Sequence, residues 1–334
     1  MERLFFPNTL KTTWVGESMM RYRFFLKIGL VLLLLLLVHI VVPAFFAGGK
    51  TDNFYQRFTS SQQQSLILGT SRSAQGLYPE SFDSLLQDMD LDGPMYNFSF
   101  TIAHSPYGPA YLRAIQAKLD PLVTNGLFIV GVDPYSIGIR KRNESDDVTQ
   151  FREQGLCVAN MNFFNLPVNY EYLLKNYDHF WGEILLTSLQ KSSGVVLSNG
   201  RFQVDAPADS AFIRNRTINN IRNNNKTEYV FSNTRVKYLE ATIDFLKTHG
   251  KVVLVRLPTG KEIKEIEDQI MPEFDFRMEA LADNMDILYV SYSAVIEQYQ
   301  TRDGDHLLPE SGRRLSADLA KRIKIEFKEI TQTY

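Results

Sequence analysis

Short apolar runs that end in glycine or proline alternate with amphipathic, helix-spaced runs through most of this chain, which predicts an α/β domain on a parallel sheet. Two further observations shape that expectation. A leucine-rich stretch precedes the alternation, and a block rich in Asn, aromatics and charge, residues 140–233, interrupts it. The fold expected is therefore a three-layer α/β/α domain over 65–334, with an insertion at about 140–233, preceded by one N-terminal transmembrane helix.

Taken in order, Phe24 to Ala47 reads "FFLKIGLVLLLLLLVHIVVPAFFA", apolar except for Lys27 and His39. As a helix it spans roughly 30 Å of hydrocarbon. A secretory signal has a shorter apolar core and a small-x-small cleavage site, whereas Phe45 occupies the −3 position relative to Ala47. Arg21, Arg23 and Lys27 lie on the N-terminal side, so the positive-inside rule places 1–23 in the cytoplasm, 24–47 in the membrane and the remainder outside the cytoplasm. Residues 48–64, with the cluster "SSQQQ", read as a polar linker.

"SLILGTS" (65–71) and "PMYNFSF" (94–100) read as strands, "PAYLRAIQAKLDPL" (109–122) as a helix, and "GLFIVGVDP" (126–134) as a buried strand closed by Asp-Pro. After the insertion come a helix over 234–250, a strand over 251–258, and a helix over 261–284 that Pro272 interrupts. A strand over 285–293 and a final helix over 311–330 complete the domain. A long insertion between core strands is expected to cover or line a site; its segment "RTINNIRNNNK" could meet anionic or sugar groups, or be solvated loop.

Lys+Arg number 36 and Asp+Glu 38, so no broad basic face is implied and nucleic acid is not an expected partner. The single cysteine, Cys157, excludes an intrachain disulfide framework and a multi-Cys zinc site; it reads as a small buried apolar residue. No cofactor and no metal are expected.

In parallel sheets, ligands sit beyond the carboxyl ends of strands. At the end of "LILGTSRS" the apolar run stops at Gly69, and Ser71 enters a helix. Its hydroxyl could project from the turn beside backbone N–H groups able to stabilise an oxyanion; alternatively Ser71 or Ser73 is a helix cap. Near the C-terminus, "DGDHLLPESG" (303–312) places Asp303 three residues before His306. That spacing lets a carboxylate orient an imidazole as general base. A capped loop, or a metal site using Asp303, Asp305 and His306, are the other readings of the same residues.

Together, strand–Gly-x-Ser at the start and Asp-x-x-His before the last helix resemble the SGNH (GDSL-like) hydrolase superfamily, over about 65–139 and 234–330. The resemblance implies Ser71 as nucleophile, His306 as general base and Asp303 as its orienter, with Asp305 at a variable position. The usual Gly-Asp-Ser is here Gly-Thr-Ser. The family's second block falls on 97–104, where Asn97 is kept but both glycines are replaced. Its third block places Asp133 where an oxyanion-binding Asn should stand, and an ionised carboxylate there would repel an oxyanion. Arg72, Asn97 and Asp133 are thus the oxyanion or substrate candidates, and His104 is a further histidine near them. A single anchor joined to such a domain is also similar in architecture to envelope acyl-transfer proteins that work beside a multi-spanning acyltransferase.

The expected function is a membrane-anchored, extracytoplasmic serine esterase or acyltransferase acting on acyl esters of a cell-envelope glycan or lipid-linked sugar. A non-catalytic scaffold subunit of a glycan assembly or acylation complex is the alternative, motivated by the altered oxyanion blocks.

Overall fold

The computed structural model describes residues 10–46, 54–176, 194–204, 210–223 and 226–332. They fall into two compact units, Met1–Gly48 and Gly49–Tyr334.

The first unit is a helix, Leu10–Phe46. Its stretch Met19–Ile40, 22 residues, is long and apolar enough to cross a membrane, and its leucines are exposed along the whole length. The helix starts earlier than the apolar run alone suggests because no proline lies between Leu10 and Arg23 to stop it. Ala47 lies outside the described residues.

In the second unit the strands are β1 (Ser65–Leu68), β2 (Met95–Asn97), β3 (Gly126–Gly131), β4 (Gly138–Arg140), β5 (Val195–Val196), β6 (Phe202–Gln203), β7 (Tyr229–Phe231), β8 (Gly250–Arg256) and β9 (Leu288–Ser291). Five form one sheet in the order β2-β1-β3-β8-β9, and every pair in it is parallel. This is the α/β class the sequence predicts. Alternate residues leave opposite faces of a strand. Ile67, Ile129, Val253 and Val255 meet Leu77, at the end of the helix Ser71–Gly76, together with Phe82, Leu315, Leu319 and Ile323 from the helices Pro79–Leu85 and Pro309–Gln332 in one cluster. Leu66, Leu68, Phe128, Val130 and Leu254, pointing the other way, are equally buried, and helix Asn233–Lys247 packs on β8.

The strands are shorter than the apolar runs. β1 ends at Leu68 because Gly69 takes φ +132°, a conformation side-chain-bearing residues rarely adopt. A Cβ on Gly69 or on Gly131 would also fall 2.5 or 2.1 Å from Ser73 Oγ, so the two glycines make the notch that seats the turn after β1. Pro272 divides the 261–284 segment into helices Lys261–Ile270 and Phe274–Met285. The last helix begins at Pro309, suited to a first turn. Inside its first turn, Ser311 Oγ accepts from Gln300 N at 2.9 Å.

Within the segment read as linker, Tyr55–Thr59 form a helix. Its Phe58 is buried and packs on Phe164 and Phe100, with ring centroids 5.0 and 5.8 Å apart. Residues of the insertion build structure of their own: β4 pairs antiparallel with β7, β5 with β6, and a helix spans Ser210–Asn223. Fully buried Arg235 ties this region to the sheet layer through Glu153 at 3.0 Å and Glu144 at 3.3 Å. Cys157 is buried. Residues 177–193, 205–209 and 224–225 lie outside the described residues.

Candidate active site

The sheet order reverses at β1, since β2 lies on one side of it and β3 on the other. At the carboxyl ends of β1 and β3, where such a reversal opens a crevice, lies a cavity of about 310 Å³. Ser71, Arg72, Asp133 and His306 line it, with Gln75, Thr101, Tyr135, Arg140, Asn220, Lys226, Tyr229 and Asp305.

Ser71 is the first residue of the helix Ser71–Gly76. Its Oγ lies 2.8 Å from His306 Nε2. His306 Nδ1 lies 2.8 Å from Asp303 Oδ2 and 3.0 Å from Oδ1. Asp303 is well buried, which alone would raise its pKa. The adjoining His306 and the hydrogen bond from the His306 backbone N–H outweigh that and lower it to about 2. The carboxylate is therefore ionised at neutral pH and accepts from Nδ1–H, which leaves Nε2 with a lone pair for the Ser71 hydroxyl.

The loop that carries this arrangement is closed at its base by Arg302 N donating to His306 O at 2.9 Å. Gly304 takes φ +81°, and a Cβ there would come within 2.8 Å of Thr217 Cγ2. The turn at Gly304 sends the two acids of "DGDH" to different partners. Asp303 faces the imidazole; Asp305 is buried among cations, 2.7 Å from Arg72 Nη2 and 2.7 Å from Lys226 Nζ, and accepts from Asn220 Nδ2 at 2.7 Å. Burial raises the Asp305 pKa, but Lys226 and Arg72 overcome it and hold the group far below the ordinary carboxylate range.

Arg72 lines the cavity with its Nη2 already paired. Its Nη2 is 2.6 Å from Glu267 Oε1 as well as 2.7 Å from Asp305, and its guanidinium lies over Tyr135, 5.3 Å from the ring centroid. Burial would lower its pKa; Glu267 and Asp305 raise it further than burial lowers it. Behind it, Arg256 donates to Glu267 Oε2 at 2.7 Å and to Asp275 Oδ2 at 2.5 Å. The charges thus run in alternating sign from the cavity to β9.

Asp133 stands at the cavity with both oxygens already used. Oδ2 accepts from Thr70 Oγ1 at 3.0 Å, and Oδ1 from the backbone N–H groups of Tyr135 and Ser136, each at 2.9 Å. It closes the turn after β3, and Thr70, the residue that makes Gly-Thr-Ser unusual, is one of its donors. Asn97 is not brought to the cavity. Its side chain is fully buried and donates to Ser73 O and Leu77 O at 2.9 and 3.3 Å, while its Oδ1 accepts from Ser99 N. An amide held by three backbone groups locks the helix Ser71–Gly76 onto β2 and has no donor left for an oxyanion. From the same block, Thr101, Ile102 and Ala103 do reach the cavity. His104 does not line it; the ring meets Thr101 Oγ1 at 2.7 Å and Phe54 at 4.3 Å, and burial lowers its pKa to about 4.

None of the described residues accepts a hydrogen bond from the Ser71 and Arg72 backbone N–H groups, the first two of their helix. Among the described residues no group of three or more His, Cys, Asp or Glu could hold a metal ion.

Sequence reasoning missed Asp305, Lys226, Asn220, Arg140 and Tyr229 as cavity residues. For Asp305 a signal was present, since it sits between the orienting acid and the histidine. Asn220 and Lys226 lie in "RTINNIRNNNK", the segment read as able to meet anionic or sugar groups, whereas for Arg140 and Tyr229 only membership of the insertion pointed to the site.

No family model matches the chain, and no curated protein does. Among solved structures, the chain is similar to an inhibitor-bound aryl esterase of M. smegmatis, at 14% identity and a TM-score of 0.34, over 78% of this chain and 98% of that one. It is also similar to a carbohydrate acetylesterase from Sinorhizobium meliloti, at 13% identity and a TM-score of 0.35, over 79% of this chain and 99% of that one.

Proposed function

We propose that this protein is a membrane-anchored serine esterase or O-acyltransferase acting on acyl esters of a cell-envelope glycan. The observation that carries the reading is the unbroken line from Ser71 Oγ through His306 to Asp303, with both contacts at 2.8 Å, which is the reach general-base catalysis needs. The leucine-rich helix supports the anchor, and Arg21, Arg23 and Lys27 support a cytoplasmic N-terminus with the domain on the other side.

In this reading Ser71 Oγ attacks the ester carbonyl carbon and its proton passes to His306 Nε2. Asp303 stabilises the imidazolium that results. The carbonyl oxygen becomes an oxyanion, held by the Ser71 and Arg72 N–H groups. The tetrahedral adduct collapses to an acyl-serine, and the alcohol leaves with the proton from Nε2. Water or a sugar hydroxyl then gives its proton to Nε2 and takes the acyl group. A polar wall from the insertion would position the acceptor, and a multi-spanning acyltransferase would be the partner supplying acyl groups for transfer.

The full chain in detergent micelles, incubated with an acetylated oligosaccharide, is expected to release or transfer acetate, and Ser71→Ala to do neither. One observation favours the scaffold reading: Asp133 replaces the third oxyanion donor with a carboxylate. A folded wild-type protein inert towards every acyl ester offered would support the scaffold and remove the enzyme.

A further inference from the structure

Gln75 lines two cavities, that of Ser71 and a neighbouring cleft of about 90 Å³ walled by Tyr78, Arg201, Gln203, Arg302 and Arg313. Three guanidinium groups therefore share one small space beside the candidate active site. Each has little negative charge to face. Arg201, 5% exposed, lies 4.0 Å from the Tyr78 ring centroid and donates to Gln203 Oε1 at 3.3 Å. Its nearest carboxylate is Glu80 at 3.9 Å, a side chain 53% exposed. Arg302, 7% exposed, donates to Gln75 Oε1; its Nε is 3.6 Å from Asp303 Oδ2, an oxygen that already serves His306. Arg313 is exposed and lies 5.2 Å from the Tyr78 centroid, with no ion pair among the described residues.

Like charges gathered in a partly desolvated cleft repel one another and cost stability unless an anion joins them. Stacking on Tyr78 accounts for the flat faces of Arg201 and Arg313 but not for their N–H edges, and those edges suit the paired oxygens of a carboxylate or phosphate. The volume admits one such group rather than a sugar ring.

We propose that this cleft binds an anionic group, a carboxylate or a phosphate, carried by the same molecule whose ester reaches Ser71. The link to the ester rests on the esterase reading above; anion binding does not. The substrate class is then an acylated acidic glycan or an acylated glycan bearing phosphate, gripped by its charge one group away from the reacting ester.

The test is calorimetric titration of the full chain in neutral detergent with glucuronate and, separately, glycerol phosphate, alongside hydrolysis of the neutral ester 4-nitrophenyl acetate. Saturable binding of either anion is expected, and the tighter of the two identifies the source of the charge. Arg313→Gln and Arg201→Gln should each weaken it about tenfold, as loss of one charge-assisted hydrogen bond does, with unchanged kcat/KM for the neutral ester. Thermal unfolding of exposed Arg313→Gln at the wild-type temperature ensures that the loss is local. Ser71→Ala should bind the anion as the wild type does. Saturable anion binding in a protein inert towards esters would keep the cleft and overturn the esterase reading. The cleft proposal is overturned if neither anion saturates, or if Arg313→Gln and Arg201→Gln both bind like the wild type.

Discussion

One wall of the Ser71 cavity is made by the ends of β1 and β3 and the turn between Arg302 and His306; a second wall is made by Arg140, Asn220, Lys226 and Tyr229 of the insertion. The first wall is held by backbone. Gly69, Gly131 and Gly304 permit contacts a Cβ would prevent, and Asp133 and Asn97 fasten the turns behind Ser71 through main-chain groups. The second wall rests in part on the β4–β7 ladder, where Arg140 pairs with Tyr229, and meets the first wall through charge. Lys226 and Asn220 meet the first wall through Asp305, and Arg140 Nε donates to Tyr229 OH at 3.0 Å. Backbone-held geometry suits groups whose positions decide a rate, whereas long polar side chains suit recognition. The two acids of "DGDH" divide along that line: Asp303 meets the His306 imidazole, and Asp305 joins the walls.

Breaking the first wall should have the largest effect. Ser71→Ala and His306→Ala are each expected to lower kcat for ester hydrolysis by about 10⁴-fold or more, with the unfolding transition kept. Asp303→Asn should come next, at about 10⁴-fold, because the amide no longer fixes the tautomer; steady-state kinetics with an aryl acetate checks all three.

Asp305→Asn should act on the other axis. It leaves Arg72 and Lys226 buried with less negative charge, a loss of about 3–5 kcal/mol, read from urea unfolding of the wild type and variant. If Asp305→Asn were instead fully stable and inactive, the division between the two acids would be wrong.

The smallest effect concerns acid. The folded pKa of Asp303, about 2, lies below its ordinary value of 3.8, so its contribution is present above pH 4 and is lost as pH falls through 2. The stability difference between wild type and Asp303→Asn should narrow by about 2 kcal/mol from pH 5 to pH 2. A difference that stays constant would mean the carboxylate is not held by His306.

The first wall was largely legible in the sequence. "SLILGTS" and "DGDH" mark a strand end and a tight turn by local composition, and the chemistry of serine, histidine and aspartate is local to the side chains. The role of Asp305 was not, because its partner Arg72 lies 233 residues earlier and Lys226 comes from a segment without a period. Asn97 and Asp133 were placed by analogy with an oxyanion site. What they do depends on which backbone groups the fold brings within reach, Ser73 O and Leu77 O for one and the Tyr135 and Ser136 N–H groups for the other. The helix Tyr55–Thr59 was hidden by its length, since five residues carry no visible period.

The most direct measurement of the central claim is labelling of the full chain with a serine-directed fluorophosphonate, followed by peptide mapping. The account predicts one adduct on Ser71, abolished in Ser71→Ala and strongly slowed in His306→Ala. A folded protein that is never labelled, or one labelled on another serine with Ser71 untouched, would contradict it.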